Sequence, residues 1–327
     1  MHFGLRLPSF AIGERTASLA EMGAYLRRAE DLGIDSAMLI DHLLIAPPAY
    51  RVAWLEPIAL LSALAGVTRT MRLGTLVLVL PFRDPVALAK EWATLDVLSG
   101  GRSILGVGVG WNEAEFEALR IPHRERGRRT TEMLEAITAL WSGDHVSYEG
   151  RHYQFHDLTI EPKPVQQPHP PIWIGGGTQP SAKIYGQDVP SIEPVLRRIA
   201  KYATTWVPHS SATAEMVTQD WEQIRGYMVE LGREPGELKK VYSNFIHVLA
   251  PGERPESAAP FFSVYSGMDL EYWQEFYLLG EAEQVAERIR GKIDALGGVD
   301  HVILNPLDWD PERLDILARD VLPLVSA

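Results

Sequence analysis

The sequence predicts an α/β protein whose strands and helices alternate around a closed (β/α)8 TIM barrel carrying insertions. Three observations carry that prediction. Eight short apolar runs are each followed by a helical pattern, which signals βα units and a parallel sheet. The first run is not followed by the G-x-G-x-x-G turn with which an open doubly wound sheet usually begins. The length, 327 residues, suits a barrel of about 250 residues with additions.

Taken in order, the strands fall at His2–Leu7, Ser36–Ile40, Arg72–Val79, Arg102–Val107, Ile172–Ile174, Thr204–Val207, Val241–Val248 and His301–Leu304. The helical patterns between them run over Ala17–Leu32, Glu56–Gly66, Pro85–Leu98, Asn112–Leu119 with Gly127–Trp141, Ile192–Tyr202, Ala214–Leu231, Glu281–Leu296 and Pro311–Leu324. Gly33 after the first helix and Gly297-Gly298 after the seventh are stop signals. The string GVGVGWNEAE resembles a dinucleotide turn, but it follows the fourth strand and lacks the third glycine at the required spacing.

Two stretches interrupt the alternation. Residues 145–170 begin like a hairpin, with Gly150 between two aromatic and β-branched runs, and continue as a proline-rich approach to the fifth strand. Residues 178–190 extend the loop after the fifth strand well beyond the usual 2–6 residues or so. No internal repeat, low-complexity tract or linker divides the chain, so residues 1–327 are expected to form one domain.

Composition narrows the function classes. There is no cysteine, which excludes disulfide and thiolate chemistry and suits a cytoplasmic protein. The start, MHFGLRLPSF, has no export signal, and no segment approaches the roughly 18 apolar residues of a membrane span. With 43 acidic and 31 basic residues the net charge is -12, which opposes binding to nucleic acid or an anionic membrane. The expected partner is a small-molecule substrate. No H-x-H or H-E-x-x-H sequence supports a metal site, and no G-x-S-x-G elbow or Walker sequence supports hydrolase or P-loop chemistry. Arg124, Arg126, Arg128 and Arg129 read as a solvated helix start.

In a (β/α)8 barrel the site lies where the strands exit, because that face carries the variable loops. Asp41-His42 follow the second strand in AEDLGIDSAMLIDH, where a histidine can give or take a proton and an adjacent carboxylate can orient it. The same test selects Thr75–Pro81, Gly106–Glu113, Trp173–Thr178, Trp206–Ser210, His247 and Asn305–Trp309. Gly175, Gly176, Gly177 and Thr178 can present bare N–H groups and a hydroxyl to a phosphate, or they form a tight turn. Trp111 offers a flat apolar wall for a ring system, or simply packs.

At these residues the chain resembles the luciferase-like monooxygenase superfamily, and within it the coenzyme F-420-dependent oxidoreductases. The resemblance runs nearly end to end, through AEDLGIDSAMLIDH, EPIALLSALAGVTRTMRLGTLVLVLPFRDPVALAKEWATLDVLSGGRSILGVGVGWNEAEFEAL, RGRRTTEMLEAITALW, EPKPVQQPHPPIWIGGG and GEAEQVAERI. It implies a barrel of the bacterial luciferase type that binds a reduced flavin or deazaflavin at its strand exits. It places Asp41 and His42 beside the reactive ring carbon. A non-proline cis peptide is implied at Leu76-Val77, on the strand that reaches Val79 behind the ring. Gly108 and Gly110 of the glycine turn and the phosphate loop Gly175–Thr178 carry over position by position. The sugar-phosphate dehydrogenases of this group carry a catalytic glutamate directly after the glycine turn, where this chain has Trp111, with Glu113 two residues further on. That departure argues against sugar-phosphate oxidation and leaves Glu113 as the nearby candidate acid. The long loop brings Lys183 and Tyr185, expected near the cofactor's tail and over the pocket. The resemblance therefore implies coenzyme F-420 and hydride transfer to or from a small organic substrate, in a homodimer. The alternatives are a monooxygenase using reduced FMN and a flavin-binding protein without catalysis.

Overall fold

A computed structural model describes residues 1–11, 16–45, 51–179, 191–265 and 269–326. Its strands, in chain order, are β1 (His2–Arg6), β2 (Ser36–Leu39), β3 (Arg72–Thr75), β4 (Leu78–Val79), β5 (Ser103–Gly108), β6 (Val146–Glu149), β7 (Gln154–Leu158), β8 (Ile172–Gly175), β9 (Thr205–Val207), β10 (Lys239–Val248), β11 (Leu278–Gly280) and β12 (His301–Pro306). Eight of them close a parallel barrel in the order β1, β2, β3, β5, β8, β9, β10, β12 and back to β1. These are the eight runs that the sequence predicts.

Side chains alternate across this wall as a strand's period of two requires. Met38, Ile104, Trp173, Val207, Val241 and Ile303 fill the interior, while Ala37 and Leu39 face the helical shell together with Leu61, Leu64 and Leu73. The first helix, Leu19–Asp31, shows how the shell is specified. Ser18 and Glu21 form a reciprocal capping box at its start. Met22, Tyr25, Leu26 and Ala29 recur at helical spacing and are its buried stripe. Burying a leucine such as Leu26 contributes about 1.5–3 kcal/mol.

The third predicted strand divides in two. Leu76 N–H still donates to Leu39 O at 2.7 Å, the Leu76-Val77 peptide is cis, and Leu78 and Val79 then pair with Val107 and Gly108. The cis bond lies where the family resemblance implies one.

The hairpin expected after residue 145 is present as the antiparallel pair β6 and β7. It follows the helix Arg126–Ser142, against which Tyr148 is tied by a 2.8 Å bond from its hydroxyl to Glu135, and it precedes β8. Residues 145–170 therefore enter a strand rather than leave one. Residues 180–190, with Lys183 and Tyr185, lie outside the described residues.

An addition after β10 does not follow from the sequence patterns. Short helices Ala259–Tyr265 and Leu270–Phe276 lead into β11, which extends the sheet beside β10. At seven residues apiece these helices are too short for an apolar period to show. They build a second apolar cluster in which Phe262 and Trp273 pack with Phe10, Phe245 and Leu307. Phe10 follows β1 and Leu307 follows β12, so the cluster sits on the strand-exit face.

Candidate active site

Asp41, two residues past the end of β2, is almost fully buried, and its carboxylate is satisfied without His42. It accepts the Val79 N–H at 2.8 Å and two Arg83 guanidinium bonds at 2.6 and 3.2 Å. Arg83 also reaches Glu56 at 3.0 Å. Burial works against the Arg83 charge, but Asp41 and Glu56 outweigh it and hold the guanidinium above its usual value. This corrects the sequence reading of Asp41 as the acid that orients its neighbour. It instead fastens the end of β2 to the end of β4.

The acid beside His42 is Glu115. His42 Nδ1 lies 3.2 and 3.3 Å from the two Glu115 carboxylate oxygens, and the side chains are 5% and 2% exposed. Glu115 also accepts the N–H groups of Leu43 at 2.6 Å and Leu44 at 3.0 Å, so it fixes the loop that carries the histidine. Trp111 meets the His42 ring edge-on at 5.8 Å and Trp54 lies tilted at 6.3 Å. Glu113 is turned away and pairs with His123 at 3.2 Å with its side chain 65% exposed, which corrects its reading as the catalytic acid. The reason is helical geometry. Asn112 caps the helix Glu113–Ala118, and residues two apart on a helix point about 200° from each other.

Behind this pair the barrel wall is thinned for Val77. A Cβ on Gly108 would lie 2.5 Å from Val77 Cγ2, and one on Gly175 would lie 2.9 Å from Cγ1, so neither strand tolerates a side chain there. Val77 packs half-buried on the interior cluster of Leu76 and Trp173. Gly110 and Trp111 follow at the exit of β5, next to Val79 and Phe116.

The donors of Gly176 and Thr178 in the glycine loop are already in use within the protein. Gly176 N–H donates to Val207 O at 3.1 Å, and Trp206 Nε1 donates to Gly176 O at 2.6 Å. Thr178 gives its N–H and its hydroxyl to Asp220 at 2.5 and 2.7 Å, and Asp220 is 2% exposed. Gly177 turns through φ 137°, where a side chain is rarely tolerated and where a Cβ would meet Asp220 at 2.8 Å. A phosphate at Thr178 would therefore meet a carboxylate, so Gly176 and Thr178 do not form the open cradle that the sequence suggests. The apolar surface at Val77 has the chemistry to take a flat ring, and Gly176 and Thr178 do not have that of a phosphate cradle.

Further polar residues lie at the strand exits: His209 and Asn305 fall in stretches that the sequence selects, whereas Arg6 and Ser243 do not. Arg6 ends β1 with its guanidinium 4.8 Å from the centre of the Phe245 ring. Ser243 and Asn305 are buried in weak mutual bonds of 3.4 and 3.5 Å. Burial and then the Arg6 charge push His209 down to about 4, so that ring is neutral at pH 7. Strand parity is the signal that could have found Arg6, since it shares its face with Gly4, which opens into the barrel beside Ile303. Among the described residues no group of three or more His, Cys, Asp or Glu could hold a metal ion, and no helix is long and apolar enough to cross a membrane.

Comparison with known proteins agrees with this architecture. The family model described as luciferase-like monooxygenase matches residues 1–299. The chain is 28% identical over 303 residues to an FMNH(2)-dependent dimethylsulfone monooxygenase of Pseudomonas putida, covering 83% of this chain and 78% of that protein. It is 37% identical over 327 residues to an F420-dependent glucose-6-phosphate dehydrogenase of Amycolatopsis mediterranei, covering 93% of each. Its fold also matches an F420-dependent secondary alcohol dehydrogenase solved with an F420-acetone adduct, at a TM-score of 0.78 with 18% identity over 99% of this chain and 98% of that one.

Proposed function

The chain belongs to the luciferase-like monooxygenase family, and on that premise we propose that it is a coenzyme F-420-dependent oxidoreductase moving a hydride between the deazaflavin and a small organic substrate. The observation that carries this reading is the buried His42–Glu115 pair at a strand exit between two indole rings. When bound, the deazaflavin supplies a carbon that gives or accepts a hydride. The protein's task is then to position the substrate and to handle the proton that accompanies the hydride. Glu115 orients the imidazole through Nδ1, so Nε2 is the atom that exchanges a proton with the substrate oxygen. Val77, Gly108, Gly110 and Trp111 would hold the ring, with Leu76 and Val79 supporting these residues. Asp41 acts from the second layer by fixing the end of β2 through Arg83. The donors of Thr178 face Asp220, so an anionic tail would be held by other groups.

A second reading, oxygenation with reduced FMN, draws support from the Pseudomonas putida relative. A binding protein without catalysis is disfavoured, because a histidine and a carboxylate paired at a strand exit form a proton-transfer group that a passive binder does not use. Anaerobic incubation of oxidised F-420 with a panel of short alcohols, and of reduced F-420 with short aldehydes, followed by the cofactor's visible absorbance, tests the first reading. Hydride transfer without oxygen supports it. Product formation that needs reduced FMN and oxygen, with no F-420 turnover, replaces it by the second.

A further inference from the structure

We propose that Arg6 recognises a carboxylate carried by the substrate, and that the ligand of this barrel mouth is a small monoanion with an apolar body. The inference rests on reading the strand-exit face as the substrate site, and it adds a chemical class to that reading. Three observations lead to it. The first is placement. Phe245 of β10 is paired in register with Asn305 of β12, and Leu304 of β12 with Leu5 of β1, so Arg6, Asn305 and Phe245 stand at one level around the rim. Arg6 lies over the Phe245 face at 4.8 Å, directed across the mouth.

The second is charge. The protein carries 43 acidic residues, yet among the described residues Arg6 has no carboxylate partner, whereas Arg83, Arg28, Arg69 and Arg313 are each paired. Among the described residues, Ser243 and Asn305 on the adjoining strands carry no charge and bond weakly to each other, and His209, close enough to feel the Arg6 charge, faces Ser211 at 2.7 Å. A half-buried cation at a strand exit without a counter-ion is costly unless a ligand completes it.

The third is the chemistry of the ligand that fits. One guanidinium matches one negative charge, and its planar fork matches a carboxylate in two parallel bonds. The Phe245 ring beneath it belongs to the aromatic cluster with Phe10, Phe262 and Trp273, which suits an aryl or alkyl body.

The test is calorimetric titration of benzoate, hexanoate and the neutral isostere benzamide into the wild type and into Arg6→Gln and Arg6→Lys, each with and without F-420. The wild type is expected to bind at least one of the two carboxylates and to prefer benzoate to benzamide. Arg6→Gln is expected to lose about 10- to 100-fold in carboxylate affinity while its benzamide affinity, its F-420 affinity and its melting temperature stay unchanged. Arg6→Lys should recover part of the loss, because it keeps the charge without the fork. Absence of carboxylate binding to the wild type in both forms overturns the proposal, as does equal binding to Arg6→Gln. Equal loss of benzamide and carboxylate overturns it as well, by marking Arg6 as a structural residue. Failure of F-420 to bind removes the proposed function and leaves the carboxylate result standing, since that is read without cofactor too.

Discussion

Replacing Glu115 by Gln keeps the shape of the side chain and removes its charge from a place where three donors converge, Leu43 N–H at 2.6 Å, Leu44 N–H at 3.0 Å and His42 Nδ1 at 3.2 Å. Hydrogen bonds to a charged group contribute about 1.5–3 kcal/mol against about 0.5–1.5 for neutral pairs. The two backbone bonds therefore weaken by about 1 kcal/mol each. The contact with His42 is lost or reversed, for about 1 kcal/mol more. Relief of the buried charge offsets part of this, so the net cost is about 1–3 kcal/mol. At about 2.1 cal/mol/K per residue, this chain lowers its melting temperature by only about 1–4 °C. Turnover responds differently. His42→Ala is expected to lower kcat by about 10²–10⁴-fold as a lost proton-transfer group. Glu115→Gln should lower kcat by about 10–100-fold with KM little changed, because it acts by orienting His42. The assay is a double-mutant cycle on hydride transfer, read at the cofactor's absorbance, with Glu115→Asp as the conservative control. The double variant should be no slower than His42→Ala alone. Multiplying losses, or a melting shift without any change in kcat, refutes the assignment of Glu115 as the residue that positions His42.

Two further predictions concern other buried groups. Asp220→Asn keeps an acceptor for Thr178 but removes the charge from the glycine loop; at an effective dielectric of about 20 and a separation of about 8 Å, that charge opposes a tail phosphate by about 2 kcal/mol. F-420 and FMN should bind several-fold tighter to this variant at low salt, with the gain shrinking as salt rises, and unchanged affinity places the tail away from the loop. His301, 4% exposed, is pushed down to about 4, first by burial and then by the neighbouring His2 charge. The folded state therefore favours the neutral ring, and its contribution to stability is complete above pH ~6.5, the unfolded value, and is lost as pH falls toward about 4. His301→Phe should flatten the fall of melting temperature across that interval, and an unaltered slope means the ring is not the group responsible.

How much of this was legible depended on the scale of the signal. Parallel strands buried on both faces leave continuous apolar runs, so Ser36–Ile40 and Ile172–Ile174 stood out, and long helices such as Ala214–Glu230 carried their own period. The rim was legible as a place, and His42 lies on it. Its partner was not legible, because choosing Glu115 over Glu113 needs the phase of a helix six residues long, which one turn of sequence does not fix. Adjacency misled at Asp41 for a related reason, since neighbours along the chain point apart and its partners come from Val79 and Arg83. The glycine run showed that backbone was exposed but not that Asp220, 42 residues away, would take the donors of Thr178. Long-range polar pairing of that kind leaves no pattern in a single sequence.

The measurement that tests the central claim most directly is parallel titration of F-420 and FMN into the purified protein under identical ionic strength. The account predicts F-420 binding with Kd near or below about 1 μM, equivalent to about -8 kcal/mol or better, and weaker binding of FMN. Tight FMN binding with no saturable F-420 binding contradicts it, and assigns the His42–Glu115 site to flavin-dependent oxygenation instead.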